Sequence, residues 1–144
     1  LDGSTLVVIF AMLAFGKGLA NAGSIELLVA TLAPFMTSGS PLLLLVLVYG
    51  ITSLLTEAIT NNAVAVIMTP LAIGLAQAAG VDPRGLVVAV MFGASASFAT
   101  PIGYQTNTLV YGSANYRFTD FLKIGVPMNI AVGVGVCFAI ATFY

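Results

Sequence analysis

Residues 41–79 decide the fold, and they read PLLLLVLVYGITSLLTEAITNNAVAVIMTPLAIGLAQAA. The stretch consists of two apolar halves, the first of which turns polar near its end at Glu57. A short polar centre, Thr60-Asn61-Asn62, joins the halves. Asparagine is a good N-cap, so either Asn61 or Asn62 is expected to start a second helix with its amide groups at the polar centre.

The composition of the whole chain indicates that this polar centre lies within a membrane protein. Of the 144 residues, 60% are hydrophobic and 6% are charged, with a net charge of -1, whereas soluble domains carry about 25% charged residues. Histidine is absent, and the single cysteine, Cys137, has no partner within the chain. These features predict an integral membrane protein with several spans. They argue against an enzyme, a cofactor or a nucleic-acid partner.

The nine charged residues divide the chain into uncharged runs, four of which reach the length of about 20 residues that crosses a bilayer. The chain starts at once with apolar sequence and has no basic region followed by a cleavage site, so we expect a piece of a longer polytopic protein rather than a signal peptide. The predicted elements are a helix over 1–20, an interfacial helix over 22–36, the pair of halves over 41–79, a broken helix over 83–115 with its break at 101–107, and a last helix over 118–144.

Both polar interruptions have two interpretations. The centre at 60–62 is either an aqueous loop between two full spans or the tip of a re-entrant hairpin over 41–79, whose irregular backbone must then face protein or a cavity. The stretch 101–107, PIGYQTN, is either a proline kink or an unwound segment at membrane depth. Taken together, two such breaks are typical of secondary transporters, in which discontinuous helices meet near the midplane and hold substrate and coupling ion.

Four motifs then carry a resemblance: GKGL–AG–S(I)ELL, TEAITNNAVAVIMTP, SASFATPIGYQTN and YRFTDFLKIGVPMN. In this order they resemble the divalent-anion/sodium symporter family, part of a superfamily that includes citrate, arsenite and sodium–proton carriers. The resemblance covers nearly all of the chain and implies an all-α membrane fold. That fold would be one partial inverted repeat, the C-terminal one, with a re-entrant helical hairpin and an unwound transmembrane helix.

The resemblance also implies a ligand set. Thr60, Asn61 and Asn62 would contact the anion, and Asn61 would in addition contact a sodium ion. The family's Thr-Pro-Pro-Asn-like stretch is replaced here by Tyr104-Gln105-Thr106-Asn107, of which Gln105, Thr106 and Asn107 are the candidate anion contacts. A second sodium would be bound by Thr56 and by the backbone of Ile59 and Gly103.

Glu57 is an acid inside an otherwise apolar stretch, and intramembrane acids are functional candidates. It either tunes the ion site or carries a proton, or it braces the hairpin by capping backbone amides or pairing with a cation. Arg117 and Lys123 place the boundary near 115–123 on the cytoplasmic side.

The function that the resemblance implies is sodium-coupled uptake of a divalent anion, sulfate or a di- or tricarboxylate, by an elevator-type carrier. A proton-coupled carrier, a channel and a non-transporting anchor or sensor module are the alternatives. The expected partners are the anion, the lipid bilayer, and either the remaining half of the same protein or a second subunit. A homodimer is expected, and the only bound ion is the coupling sodium.

Overall fold

The computed structural model describes residues 3–23, 27, 30–31, 41–113 and 116–144. Helices account for most of this part of the chain, and it contains no strand. Six helices have bounds within it: α1 (Gly3–Asn21), α2 (Pro41–Thr56), α3 (Asn61–Ala79), α4 (Pro83–Ser95), α5 (Gln105–Ser113) and α6 (Phe118–Phe143). The all-helical expectation is therefore confirmed for the described residues. The predicted interfacial helix over 22–36 lies largely outside them.

Helix α4 lies at the centre of the fold because it packs against α2, α3 and α6. Val48 of α2, Val64 of α3 and Val90 of α4 are all at most 1% exposed and form the middle of the core. Gly93 lets α4 approach α2 closely, since a Cβ atom at this position would lie 3.0 Å from the Cβ atom of Thr52. Small residues permit such close helix contacts in apolar surroundings.

The turn between α3 and α4 follows from its sequence. Gly80 ends α3 in the left-handed region with φ of 68°, a conformation that glycine adopts without steric cost. Asp82 then caps α4, because its carboxylate accepts the backbone N–H of Arg84 at 2.9 Å. Pro83 occupies the first helical position, where no backbone donor is needed. The direction of α4, and hence the place where it ends, is set at this turn.

The two polar interruptions differ in detail from the sequence expectation. Helix α3 begins at Asn61, while Thr60 is extended and holds the N-cap position without a side-chain capping bond. The second interruption comprises residues 96–104, rather than 101–107, and residues 105–107 form the first turn of α5. The early end of α4 has a physical reason, because the carboxylate of Glu57 binds the backbone N–H groups of residues 98–100.

Two described helices are long and apolar enough to cross a bilayer. They are α3, with a mean hydropathy of 1.6, and α6, with a mean hydropathy of 2.0. Helices α2 and α4 are apolar but contain only 16 and 13 residues. The described part of the chain thus combines two long apolar helices with two short ones that end at the polar interruptions.

Candidate functional site

The end of α2 and the residue that follows it present three polar side chains to the segment that follows α4. Ser53, Thr56 and Glu57 are spaced at i, i+3 and i+4, which places them on one face of a helix. Ser53 and Thr56 are buried, and Glu57 is partly buried. This face meets residues 94–103, so the end of α2, just before the first polar interruption, binds the second interruption.

The hydroxyl groups of α2 satisfy carbonyls at the end of α4. Thr56 Oγ1 donates to the carbonyl of Ala94 at 2.8 Å, and Ser53 Oγ donates to the carbonyl of Ala96 at 3.3 Å. The last carbonyls of a helix have no partner within it, and leaving them unpaired in apolar surroundings is costly. The two hydroxyls therefore stabilise the end of α4 where it is.

The Glu57 carboxylate binds the amides that come next along the chain. Its Oε1 accepts the N–H groups of Phe98 at 3.0 Å and Ala99 at 2.9 Å, and its Oε2 accepts that of Thr100 at 2.8 Å. Thr100 Oγ1 in turn donates to the Glu57 carbonyl at 2.7 Å. These bonds replace the helical bonds that residues 98–100 would otherwise make. The contact with backbone amides, one of the two alternatives for Glu57, is thus present.

A fourth strong donor to this carboxylate comes from α6. Asn129 Nδ2 lies 2.7 Å from Glu57 Oε1, across 72 positions of sequence. Ser97 Oγ adds a longer bond of 3.4 Å to Oε2. The four Lys and Arg side chains of the chain are all exposed. The donors described for the Glu57 carboxylate are therefore all neutral groups, and hydrogen bonds to a carboxylate are stronger than those between neutral groups.

Thr56 and Gly103, both predicted to be near a sodium ion, lie together. A Cβ atom at Gly103 would overlap with the Thr56 carbonyl oxygen and with Ser97 Oγ. Ser97 Oγ lies 3.4 Å from the Thr56 carbonyl oxygen, and its single proton can be donated either to this oxygen or to Glu57 Oε2. Only glycine fits at 103, since its backbone lies against the end of α2. The Thr56 carbonyl oxygen and Ser97 Oγ, both hard ligands, are thus placed beside Gly103. Residues 96–104, which lie outside the helices, are called the unwound segment below.

The unwound segment is held from its far side by α5. Asn107 Nδ2 donates to the carbonyls of Ser97 at 2.9 Å and Thr100 at 3.2 Å. Thr108 Oγ1 donates to the carbonyl of Pro101 at 2.6 Å. These two side chains link the start of α5 to the carbonyls of the unwound segment. Asn107, predicted as an anion contact, therefore already donates its amide hydrogens to backbone carbonyls.

The Thr60–Asn62 centre lies at the start of α3, next to α4. Asn61 Oδ1 accepts the backbone N–H of Asn62 at 2.8 Å, and the Asn62 side chain is exposed. A groove of about 330 Å³ extends from Asn61 and Asn62 to Ala94 and Ser95 of α4. Amide side chains and the positive end of a helix dipole thus face one opening.

The remaining predicted residues are placed less centrally. Ile59 is 39% exposed in the turn before α3, and Thr106 is exposed in the first turn of α5. Gln105 begins α5, and its side chain lies outside the described part of the chain. The structure brings Thr56 and Glu57 against the segment 96–104, which includes Gly103, while the hydrogen bond of Asn61 stays within its own helix.

Sequence reasoning missed two contributors to this site. Ser97 lies in a run of small residues that is typical of close helix packing, but its hydroxyl lies 3.4 Å from both the Thr56 carbonyl oxygen and Glu57 Oε2. Asn129 was not singled out, although it is the only amide side chain in the uncharged run 124–144. That isolation within apolar sequence was the signal that could have drawn attention to it.

Short apolar helices that end at polar interruptions and bind one another there are the construction of secondary membrane transporters. The chain belongs to the citrate transporter family, CitMHS, whose model matches residues 1–144. This membership confirms the resemblance that the sequence motifs indicated.

Several curated proteins are similar to the chain. It is 42% identical over 125 residues to an uncharacterized transporter of Synechocystis sp., covering 87% of this chain and 20% of that protein. It is 35% identical over 133 residues to the uncharacterized transporter YfbS of Escherichia coli, covering 92% and 22%. It is 42% identical over 86 residues to sodium/sulfate cotransporter 1 of Chlamydomonas reinhardtii, covering 60% and 10%. The chain thus spans between 10% and 22% of the length of these relatives.

Proposed function

We propose that the full-length protein is a secondary active transporter that couples sodium to the uptake of a divalent anion, with sulfate as the first candidate. The observation that carries the proposal is that the end of α2 binds the unwound segment after α4, through Ser53, Thr56 and Glu57. Relatives named sodium/sulfate cotransporters support the choice of sulfate and sodium. Family membership also makes citrate, a carboxylate anion, a substrate to assay.

The lengths of the helices support a re-entrant hairpin and a broken helix. At 1.5 Å per residue, α2 is about 24 Å long and α4 about 20 Å. Both are shorter than the hydrocarbon core of about 30 Å. In this proposal α2 and α3 enter the membrane as a hairpin with its tip at 60–62. Helices α4 and α5 form one transmembrane element interrupted at 96–104.

Each ligand has a matching group in this arrangement. The anion is bound where α3 begins, because a helix N-terminus offers free backbone donors and the positive end of a dipole. Thr60, Asn61 and Asn62 supply the side chains there, with Thr106 and Gln105 as further candidates. The sodium ion is bound by oxygens near Thr56, Ile59 and Gly103, where an unwound backbone leaves carbonyls free of helical bonds.

The chain provides one inverted repeat of the carrier in this proposal. A second repeat, from the rest of the protein or from another subunit, would complete the binding site from the other side. Transport would then proceed by an elevator movement of the two hairpins and broken helices together, within a homodimer in a bacterial inner membrane. The dense hydrogen bonding between α2 and the unwound segment supports movement of these elements as one body.

The test is uptake of radiolabelled sulfate by the full-length protein in proteoliposomes, with an inward sodium gradient or with sodium replaced by choline. We expect sodium-stimulated uptake that competes with an excess of unlabelled anion. Asn61→Ala is expected to lower the uptake at least tenfold, about the effect of losing one hydrogen bond to a charged ligand. Asn21→Ala is the matched control, because Asn21 is exposed at the end of α1.

Three results would contradict parts of the proposal. Equal uptake in sodium and choline would refute sodium coupling, and stimulation by a proton gradient would then identify a proton-coupled carrier. Anion binding without flux would identify an anchor or sensor module. Normal uptake by Asn61→Ala would refute the placement of the anion at the start of α3.

A further inference from the structure

Ser97 places one hydroxyl group between the end of α2 and the carboxylate that follows it. The residue is 4% exposed, and its Oγ lies 3.4 Å from both the Thr56 carbonyl oxygen and Glu57 Oε2. Hydrogen bonds between two oxygens are usually about 2.5–3.0 Å long. The hydroxyl is therefore enclosed by protein and lies between two acceptors without being close to either.

The two acceptors compete for a single proton, because a serine hydroxyl donates only one hydrogen bond. Glu57 Oε2 has another donor, the Thr100 N–H at 2.8 Å. Thr56 is fully buried at the last position of α2, and among the described residues Ser97 is the one donor to its carbonyl. When Ser97 donates to Glu57, the Thr56 carbonyl is left unpaired, which is costly for a buried polar group.

A cation bound by the Thr56 carbonyl would end this competition, and the spacing of the oxygens fits one. Two ligand oxygens at right angles around a cation lie about 3.4 Å apart if each cation–oxygen distance is about 2.4 Å, as for calcium, an ion of similar size to sodium. Thr56 O and Ser97 Oγ have this separation. The Gly103 backbone lies against the same two oxygens, since a Cβ atom at Gly103 would overlap with both. The pair is thus spaced like two neighbouring ligands of a hard cation.

We propose that Ser97 is a further sodium ligand, outside the set that the resemblance implies, and that it links sodium binding to Glu57. The proposal rests on the proposed function, which places a sodium ion near Thr56. Without sodium, the Ser97 hydroxyl donates to the Thr56 carbonyl. With sodium on that carbonyl, the cation repels the proton, so the hydroxyl turns its proton to Glu57 Oε2 and a lone pair to the ion. Sodium thereby adds a donor to the carboxylate that holds residues 98–100.

The first experiment is hydrogen–deuterium exchange of the full-length protein in detergent, with sodium chloride or choline chloride at equal ionic strength. Exchange reports local opening and does not require transport. In the wild type, saturating sodium is expected to slow the exchange of the amides of residues 98–100 about tenfold, the lower end of what a hydrogen bond to a charged group contributes. In Ser97→Ala, the same sodium concentration is expected to slow them less than about twofold. Tenfold slowing in Ser97→Ala would overturn the proposal.

A matched variant shows whether the effect belongs to position 97. Ser113→Ala makes the same chemical change at an exposed position, where the hydroxyl donates to the Leu109 carbonyl within α5 at 2.8 Å. This variant is expected to respond to sodium as the wild type does. Loss of the sodium response in both variants would overturn the assignment to Ser97.

Exchange in choline separates a sodium ligand from a residue that only braces Glu57. Without sodium, the Ser97 proton is on the Thr56 carbonyl, so Ser97→Ala is expected to change the exchange of residues 98–100 less than about twofold. A brace would act whether or not sodium is present. Equal acceleration of these amides in choline and in sodium would therefore overturn the sodium role.

Uptake supplies a second readout that a merely structural role would not move. In Ser97→Ala, the sodium concentration for half-maximal sulfate uptake is expected to rise about tenfold. The half-saturating sulfate concentration, measured at saturating sodium, is expected to change less than about twofold, and an equal rise for both ligands would overturn selective action on sodium. A wild-type protein that responds to sodium in neither assay would refute sodium coupling and this proposal with it. A wild-type response that Ser97→Ala keeps in full would refute the role of Ser97 alone.

Discussion

Replacing Glu57 with glutamine is the most direct perturbation of the site. Oε1 receives the Phe98, Ala99 and Asn129 donors, while Oε2 receives the Thr100 N–H at 2.8 Å. A glutamine oxygen is therefore expected on the side with three donors, which turns its NH₂ group toward the Thr100 N–H. One charge-assisted bond is lost, and the others become bonds between neutral groups.

The size of the effect follows from these bonds. A hydrogen bond to a charged group contributes about 1.5–3 kcal/mol and a neutral one about 1 kcal/mol. Losing the Thr100 bond and weakening the rest is partly offset, because a neutral side chain costs less to bury. We expect a net loss of about 3 kcal/mol in the local stability of residues 98–100, which corresponds to about a hundredfold change in an equilibrium constant.

Hydrogen–deuterium exchange of the full-length protein measures this loss, since exchange reports the free energy of local opening. The amides of residues 98–100 are expected to exchange about a hundredfold faster in Glu57→Gln, and amides in the middle of α3 are expected to exchange as in the wild type. Asp82→Asn is the matched control, because it also removes one negative charge but leaves a good N-cap on α4. Unchanged exchange of residues 98–100 in Glu57→Gln would refute the conclusion that this carboxylate holds the unwound segment.

Two glycine substitutions test the close contacts of the same segment. Gly103→Ala is expected to lower the melting temperature and the sulfate uptake of the full-length protein, because overpacking costs about 1–3 kcal/mol. Gly112→Ala is its control in open space, and equal losses in the two variants would contradict the tight fit at 103. Gly125→Ala is expected to lower the melting temperature by pushing α6 away from the Phe98 backbone. Gly135→Ala, on the same helix with nothing near its Cβ atom, is expected to be neutral or stabilising, and an equal melting temperature in these two variants would refute the contact.

Much of the helix pattern could be predicted because its signals are local. The first residue of α2 is Pro41, α3 begins at Asn61, and Asp82-Pro83 starts α4, in each case where proline, asparagine or aspartate favours a helix start. The last predicted helix, 118–144, agrees with α6 to within one residue. Each of these boundaries depends on residues within a few positions along the chain.

The exact place where α4 ends could not be predicted in the same way. Pro101 and Gly103 mark the second interruption in the sequence, but the helix already stops at Ser95. What stops it is a set of partners about 40 positions earlier, namely the Thr56 hydroxyl and the Glu57 carboxylate. Asn129 contributes from 72 positions later. Hydrogen bonds between residues so far apart in the sequence leave no periodic pattern in it. They can therefore be identified only in the folded structure.

The hydrogen-bond donors of the unwound segment and of α5 are already paired within the protein, and this limits where an anion can bind. An anion requires hydrogen-bond donors, and both bonds described for the Asn107 amide go to the carbonyls of the unwound segment. The amides of Phe98, Ala99 and Thr100 are likewise taken by Glu57. The Glu57 carboxylate therefore occupies the backbone N–H groups of residues 98–100, which could otherwise bind an anion. Under the proposed function, the anion would therefore be bound at the start of α3, and the sodium ion would be bound by oxygens around Thr56. Under the proposed function, neutral groups would bind both ligands, while the partly buried carboxylate of Glu57 holds the backbone of residues 98–100 in place.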